Sequence, residues 1–222
     1  MNTHRDPAAP IPPDLELIRR SLAGNQRPDA LPEGKLAAVA LVLAGETADL
    51  HICLIRRAEH ERDRWSGHIA LPGGRVDAGD PSARAAAIRE TWEEVGLRLD
   101  HVPCLGSLRP QPVRSAGRIT GMSLSSFVFH LGVTLERLTP TDDEVAEAFW
   151  VPLRHLLDPR NAVHRPTPRD GVILEFPAVL YRGHHIWGLT YRVLGMFFEH
   201  MALQIASPHP RGHHEQSPAS AP

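Results

Sequence analysis

Three glutamates lie close together in the chain, at positions 90, 93 and 94. If this segment is helical, Glu90, Glu93 and Glu94 are related by steps of three and four residues, so their side chains share one side. Like charges at these spacings destabilise a helix by about 0.2–0.5 kcal/mol per pair, and negative charge is disfavoured near a helix C-terminus. A hard divalent cation that binds carboxylate oxygens would offset this repulsion. The alternative is a solvated helix face on which Arg89 pairs with Glu93.

Glycines flank the acidic segment on both sides. Pro72-Gly73-Gly74 precedes it, and glycine lets the backbone approach a ligand closely. Gly96 follows the last glutamate and is typical of a residue that ends a helix. A glycine loop beside a helix that carries carboxylates predicts a site for a metal ion and a phosphate group.

The segment Arg89–Leu97 resembles the second half of the signature box of the Nudix hydrolases, G-x5-E-x7-R-E-U-x-E-E-x-G-U, where U is aliphatic. Every fixed position matches, except that Thr91 stands where an aliphatic residue is usual. The first half departs further, because Asp80 rather than Glu follows Gly74 after five residues, and eight residues rather than seven separate Asp80 from the arginine. Asp80 is either the N-cap of the helix, with Pro81 at its first position, or a residue that supports the metal ligands.

The resemblance implies a fold, a chemistry and a set of roles. The expected fold class is α/β, a Nudix-like α/β/α sandwich with a mixed β-sheet, and the expected activity is hydrolysis of a diphosphate linked to another moiety. Glu90, Glu93 and Glu94 would be ligands of Mg²⁺ or Mn²⁺, with the backbone of Gly74 near the metal. Arg89 would orient a carboxylate of the box. Metal ions suit this chemistry because they neutralise a diphosphate, orient it and lower the pKa of an attacking water.

Segments upstream of the box resemble the coenzyme A pyrophosphatase branch of the family, whose pattern is like L-L-T-x-R-S, then an Arg, then G-x3-F-P-G-G. The counterparts here are residues 53–57 and Gly67–Gly74, with the glycine spacing kept and Leu71 in place of Phe. Where the branch has Arg four residues before the glycine, this chain has Asp63, and Arg64 is one place off. Two downstream segments also resemble the branch, residues 143–153 and 186–190.

The branch implies cleavage of CoA or acyl-CoA to 3′,5′-ADP and 4′-phosphopantetheine or its acyl derivative. The shared box fits two other kinds of protein. One is a Nudix hydrolase that acts on another dinucleotide, an ADP-sugar or an oxidised nucleotide. The other is a non-catalytic Nudix-fold module that binds a nucleotide, although such a module has no need of all three glutamates together with Arg89 and Gly74.

Arginines and one further acid complete the candidate site. Planar guanidinium groups suit phosphate, so arginines near the glycine loop could bind the substrate, and each has the alternative of an ordinary surface residue. Glu144, in a polar loop before a predicted strand, is a further metal ligand, a general base or a solvated loop acid. The candidate substrate-binding residues are Arg56, Arg57, Arg64, Gly73 and Gly74. The candidate catalytic residues are Glu93, Glu94, Arg89 and Glu144.

Apolar runs predict the elements that would position these residues. Strands are expected at Leu36–Leu43, Leu50–Ile55, Val102–Leu108, Leu124–Leu131, Ala148–Val151, Ile173–Leu180 and His185–Trp187. Helices are expected at Asp14–Leu22, Ala83–Val95, Leu153–Leu157 and Thr190–Ala202. On the second of these, Ala85, Ile88 and Trp92 fall on a stripe suited to packing against a sheet. The predicted organisation is a flexible segment at 1–13, a Nudix hydrolase domain at 14–206 and a disordered tail at 207–222.

Composition limits the class of protein. The chain has 222 residues, 42% hydrophobic and 23% charged, which suits one globular domain with short extensions. Its net charge of −2 implies no bulk attraction to nucleic acid or to a membrane surface. The apolar run Leu36–Ala44 is about half the roughly 20 residues of a membrane span, and the first residues lack the apolar stretch of a signal peptide, which favours a cytoplasmic protein. The expected partner is a CoA-like nucleotide, with no nucleic acid and no membrane, and a homodimer is allowed.

Overall fold

The computed structural model describes residues 10–25, 35–61, 65–115, 118–140, 143–169 and 171–208. Its helices are α1 (Leu15–Leu22), α2 (Ala83–Val95), α3 (Leu153–Leu157) and α4 (Gly188–Glu199), with a 3-10 turn at Pro159–Asn161. Its strands are β1 (Lys35–Glu46), β2 (Asp49–Arg57), β3 (Ile69–Ala70), β4 (Gly73–Arg75), β5 (Cys104–Ser115), β6 (Arg118–His130), β7 (Val145–Pro152), β8 (Ala162–Arg169), β9 (Val172–Tyr181) and β10 (His184–Trp187). Most of the two predicted tails, residues 1–9 and 209–222, lies outside the described residues.

Seven strands form the larger sheet, which carries the glycine segment at its centre. The strand order is β3-β2-β1-β6-β5, with β4 paired to β1 and β7 paired to β2. Strands β1 and β6 are parallel, whereas β1 is antiparallel to both β2 and β4. The predicted mixed sheet is therefore confirmed. A second, antiparallel sheet has the order β10-β9-β8.

The central strand β1 is buried along nearly its whole length. Because successive side chains of a strand point to opposite sides, both of its faces are buried. Ala38, Ala40 and Val42 belong to the apolar cluster that contains the buried face of α2. The intervening residues 39, 41 and 43 belong to the cluster that contains α1, α3 and α4. Helices thus cover both faces of the sheet, which confirms the α/β/α sandwich. Among the described residues, no helix is long and apolar enough to span a lipid bilayer.

Two departures from the predicted elements have a clear physical reason. The strand β8 was missed because Pro166 and Pro168 interrupt its apolar run, but β8 is an edge strand, where proline is tolerated. The predicted packing stripe of α2 is also displaced. Trp92 is 49% exposed, whereas Thr91 is fully buried and donates from its hydroxyl to the Ala87 carbonyl oxygen at 2.6 Å. The size and hydrophobicity of Trp92 favoured it as the residue that packs against the sheet, but the smaller Thr91 is buried there instead.

The glycine segment is held tightly against β1. Gly73 pairs with Val39 and adopts a φ of 143°, a conformation nearly restricted to glycine. A Cβ added at Gly73 would lie 2.2 Å from the Ala38 carbonyl oxygen and 2.6 Å from the Val39 Cα. The backbone of β1 cannot move aside, because β1 is the centre of the sheet.

We therefore expect Gly73→Ala to destabilise the protein by about 3 kcal/mol or more, through strain and overpacking. Gly79→Ala is the matched control, because a Cβ at Gly79 meets nothing within 4 Å. Urea unfolding followed by circular dichroism measures both variants. Equal stabilities for the two variants would contradict the tight packing of the glycine segment.

Candidate active site

The glycine segment and α2 meet where β4 crosses the helix. Gly74, the residue that pairs with Ala38 of β1, lies against the carboxylate of Glu90. A Cβ at Gly74 would be 2.5 Å from the Glu90 Cδ and 2.6–2.7 Å from both carboxylate oxygens. Only glycine therefore allows the backbone and this carboxylate to approach so closely.

Arg89 organises the acidic side chains around it. Its Nη1 donates to Glu90 Oε1 at 3.0 Å and to Glu93 Oε2 at 2.8 Å. Its Nε and Nη2 donate to the two carboxylate oxygens of Asp80, both at 3.0 Å. The Nη2 also donates to the Arg75 carbonyl oxygen at 3.3 Å, which ties the guanidinium to β4. The predicted pairing with Glu93 is present, as one contact of a larger network.

Asp80 does not cap the helix, so that interpretation of the sequence is wrong. Ser82 is the N-cap, and its hydroxyl accepts from the Ala85 N–H at 3.1 Å. Asp80 is 8% exposed, and both of its carboxylate oxygens accept hydrogen bonds from Arg89. Its Oδ2 also accepts from the Asp77 N–H at 2.8 Å. The hydrogen bonds from Arg89 lower the pKa of Asp80. Asp80 therefore supports the acidic cluster through the arginine.

Glu94 is the most deeply buried of the three glutamates, at 3% exposure. Its Oε2 accepts from the Gly73 N–H at 2.7 Å. Burial raises the pKa of Glu94 to about 8, and the nearby Glu90 and Glu144 add to the rise, while the Gly73 N–H and Arg57 oppose it. Burial likewise raises the pKa of Glu90, opposed chiefly by Arg89. Two adjacent carboxylates are thus held where negative charge is unfavourable.

Such a pair suits a divalent cation, because hard cations take carboxylate oxygens and would supply the missing positive charge. The Gly74 backbone beside Glu90 adds a close approach that a Cβ would block. Within the described ranges, no three acidic, histidine or cysteine side chains are arranged as a complete ligand set. The exposed carboxylate of Glu93 is turned to Arg89. The donor types fit a metal ion, and the side chains would have to reorient to bind it.

Glu144 and Arg57 lie beside Glu94. Arg57 Nη2 is 3.7 Å from Glu144 Oε2, and both groups influence the pKa of Glu94. The Glu144 carbonyl oxygen accepts from the Ala58 N–H at 2.7 Å, which fixes the loop against the end of β2. The structure therefore brings two candidates from distant parts of the sequence to the acidic cluster.

Arg56 takes a different direction from Arg57. Its Nε is 3.5 Å from Glu147 Oε2, and the same oxygen is 3.3 Å from the His184 Nε2 of β10. This contact places Arg56 next to the smaller sheet, whereas Arg57 is next to Glu144 and Glu94. Arg64 lies outside the described residues.

Two charged groups with notable surroundings carry no signal in the sequence. Asp77 Oδ2 lies 3.7 Å from Arg89 Nη2 and adds a fourth carboxylate around that arginine. Arg165, on the missed strand β8, stacks on the Trp187 ring with its Cζ 3.9 Å from the ring centroid. The box spacing gave no signal for Asp77, and the contact of Arg165 with Trp187 joins two strands that are distant in sequence.

The chain is similar to several known proteins. A family model of the NUDIX domain matches residues 34–170. The mitochondrial coenzyme A diphosphatase NUDT8 of Homo sapiens is 32% identical over 203 residues, covering 82% of each chain. An uncharacterized protein of Schizosaccharomyces pombe is 43% identical over 112 residues, but the match spans 49% of this chain and only 34% of that protein. A solved MutT/nudix family protein from Enterococcus faecalis has 20% identity and a TM-score of 0.47, covering 81% of this chain and 66% of that one.

The chain belongs to the Nudix hydrolase family, because the family model covers more than half of it. It is an enzyme, a pyrophosphohydrolase, as the box predicted. The likeness of its upstream segments to the coenzyme A pyrophosphatase branch agrees with the human relative.

The two aspartates around Arg89 should contribute unequally to the free energy of unfolding. Asp80→Asn removes the charge of a buried carboxylate that accepts two hydrogen bonds from Arg89, so we expect a loss of about 1–3 kcal/mol in the free energy of unfolding. Asp77→Asn is the matched control, because its side chain is 72% exposed and 3.7 Å away, and its loss should stay within about 0.5 kcal/mol. Chemical unfolding in EDTA measures both. Similar losses would contradict the anchoring role of Asp80.

The raised pKa of Glu94 predicts a pH dependence of stability. The folded state keeps the Glu94 proton up to about pH 8, whereas the unfolded chain releases it near the ordinary value of 4.5. The folded state therefore binds more protons in this window, and stability should fall as pH rises through it.

Unfolding of the protein in EDTA across this pH window measures the effect. Glu94→Gln should flatten the fall in stability, since the amide oxygen can still accept from the Gly73 N–H without a charge. Glu16→Gln, an exposed change on α1, should keep the wild-type slope. An unchanged slope in Glu94→Gln would show that another group is responsible.

Proposed function

We propose that this enzyme hydrolyses the diphosphate linkage of CoA or an acyl-CoA, releasing 3′,5′-ADP and 4′-phosphopantetheine or its acyl derivative. The observation that carries the proposal is the pair of carboxylates, Glu90 and Glu94, held against the Gly73–Gly74 backbone. A cation that compensates these charges can also bind a diphosphate. The name of the human relative, a coenzyme A diphosphatase, supports CoA as the substrate.

Nudix hydrolases use divalent metal ions, and the proposed ion here is Mg²⁺ or Mn²⁺. Glu90, Glu93 and Glu94 would hold it, with the Gly74 backbone close by. When bound, the ion would neutralise diphosphate charge and lower the pKa of an attacking water. These ligand roles rest on the donor types, on the burial of Glu94 and on the close approach of Gly74 to Glu90.

The protein side chains supply positioning and proton transfer. Arg89, fixed by Asp80, holds the Glu90 and Glu93 carboxylates in place. Arg57 would bind a phosphate oxygen, because its guanidinium lies next to the acidic cluster and suits a bidentate contact. Glu144, with a side chain that is 60% exposed, can reach a water and accept its proton as the general base.

The remaining proposed substrate contacts involve Gly73 and Arg56. The Gly73 N–H is engaged by Glu94, so Gly73 would contribute through the close approach of its backbone. Arg56 would bind a part of the substrate near β10, on the side of Glu147 and His184. The roles of Arg64, the cytoplasmic location and the homodimer stay predictions.

The test is a substrate panel incubated with Mg²⁺ or Mn²⁺: CoA, acyl-CoA, NADH, ADP-ribose, diadenosine polyphosphates and oxidised deoxynucleotides. We expect CoA or acyl-CoA to give 3′,5′-ADP, detected by mass spectrometry, and EDTA to stop the reaction. Glu93→Gln and Glu94→Gln should lower turnover by about a hundredfold or more, because each removes a metal ligand. Glu16→Gln, which changes an exposed glutamate on α1, should leave turnover unchanged.

The outcomes separate the alternatives. Full activity in both glutamine variants would refute the metal-site assignment. Cleavage of another dinucleotide but not of CoA would refute the proposed substrate and leave the class of enzyme intact. Binding of a nucleotide without turnover across the panel would indicate a module that no longer catalyses hydrolysis.

A further inference from the structure

A cavity of about 170 Å³ lies between the segment before β4 and the smaller sheet. At about 10–15 Å³ per water, it has room for roughly ten water molecules, or for a phosphate group and its hydration. None of the three glutamates of α2 lines it. Its wall combines residues 67–69, at the start of β3, with Arg165 of β8 and with Gly183, His184, His185 and Trp187 of β10 and the turn before it.

Two contacts hold Arg165 in the wall of this cavity. Its guanidinium stacks on the Trp187 ring at 3.9 Å, and its Nη1 donates to the Thr167 hydroxyl at 3.1 Å. Trp187 is itself packed between the rings of His68 and Phe176, at 4.9 and 5.7 Å. The arginine is therefore preorganised, with donors left for a ligand.

No carboxylate of the described residues forms an ion pair with Arg165. Burial lowers the pKa of Arg165. Arg89, by contrast, has four carboxylates around it. A partly buried guanidinium without a counter-charge is unfavourable by itself and favours an anion as its partner.

The other titratable groups at the cavity are histidines, together with Glu147 near its rim. His185 lies near Arg165, and both burial and the charge of Arg165 lower its pKa. Glu147, the acid near the rim, is shared between His184 at 3.3 Å and Arg56 at 3.5 Å. The described residues that line the cavity therefore include basic groups, chief among them Arg165, and no acid.

We infer that this cavity is a second anion site, which binds a phosphate monoester through the forked donors of Arg165. The inference rests on the proposed function for the identity of that group: CoA carries a 3′-phosphate at one end, separate from the diphosphate that is cleaved. The Gly67 N–H donates to the Arg57 carbonyl oxygen at 3.2 Å, and the Arg57 N–H donates to the His68 carbonyl oxygen at 3.0 Å. The wall of the cavity and Arg57 thus belong to one hydrogen-bonded ladder, and an extended nucleotide can contact both.

Binding without catalysis gives the first test. Isothermal titration calorimetry in EDTA compares 3′,5′-ADP with 5′-AMP, which lacks the 3′-phosphate. The wild type should bind 3′,5′-ADP about tenfold more tightly or better, the value of a charge-assisted contact, and Arg165→Gln should remove this preference. Arg182→Gln is the matched control, because Arg182 also lies over an aromatic ring, Tyr181 at 5.2 Å, but does not line the cavity.

Kinetics give the second test. For the wild type and Arg182→Gln, kcat/KM should be about tenfold or more higher for CoA than for 3′-dephospho-CoA, again the value of one charge-assisted contact. Arg165→Gln should lower kcat/KM for CoA to the value for dephospho-CoA and leave the latter within about twofold. Arg165→Lys keeps the charge without the fork and should give an intermediate preference, and it replaces the glutamine variant if that variant does not fold.

The outcomes distinguish the cavity from the active site. A wild type without preference for the 3′-phosphate, or an Arg165→Gln that keeps the preference, overturns the inference. An equal loss for both substrates also overturns it, because a purely structural role would act on both. If neither substrate is cleaved but the binding preference depends on Arg165, the cavity assignment stands and the proposed function fails.

Discussion

A carboxylate removed from water needs compensation, and this constraint governs the structure around α2. Glu94 is 3% exposed and accepts from the backbone N–H of Gly73. That contact requires Gly73 to lie against β1, so close that a Cβ would overlap the Ala38 carbonyl oxygen. Gly74 in turn must leave room for Glu90. The two glycines, the central strand and the helix therefore depend on one another, and the acidic site is part of the packing of the sheet.

Arg89 supplies the positive charge that the protein itself provides to this cluster. Because it contacts Glu90 and Glu93 through one nitrogen and Asp80 through two others, its position depends chiefly on the buried aspartate. This arrangement explains the departure from the family pattern in the first half of the box. The shorter Asp80, with one extra residue before Arg89, reaches the guanidinium with both oxygens while Ser82 takes over the cap of the helix.

The sequence predicted the elements and the acidic side of α2, because hydrophobic periodicity and the spacing of the glutamates are local signals. It left Asp80 as either the cap or a support for the metal ligands, because aspartate and serine cap helices about equally well and Ser82, the cap in the structure, stands only two positions away. Nor could it separate Arg56 from Arg57. The pairing of β2 with β7 shifts register between these two residues, and the acids that they contact, Glu147 and Glu144, are distant in sequence. Arg165 lies on a strand that its prolines concealed.

The two arginines with the most unusual surroundings have opposite electrostatic roles. Arg89 forms ion pairs with several carboxylates and holds them in one cluster. Burial, together with the charges of neighbouring carboxylates, raises the pKa of Glu94 in this cluster to about 8. Such a cluster attracts cations and repels a nucleotide, so a substrate with several negative charges needs positive groups elsewhere. Arg57 lies at the edge of the cluster, and Arg165 stacks on Trp187 with no ion pair to an acid in the part of the chain that the structure describes. Because an exposed charge is screened beyond a Debye length of about 8 Å, a distant phosphate gains little from the active site itself. A separate, partly buried arginine is therefore the means by which this fold can hold the far end of a polyanionic substrate.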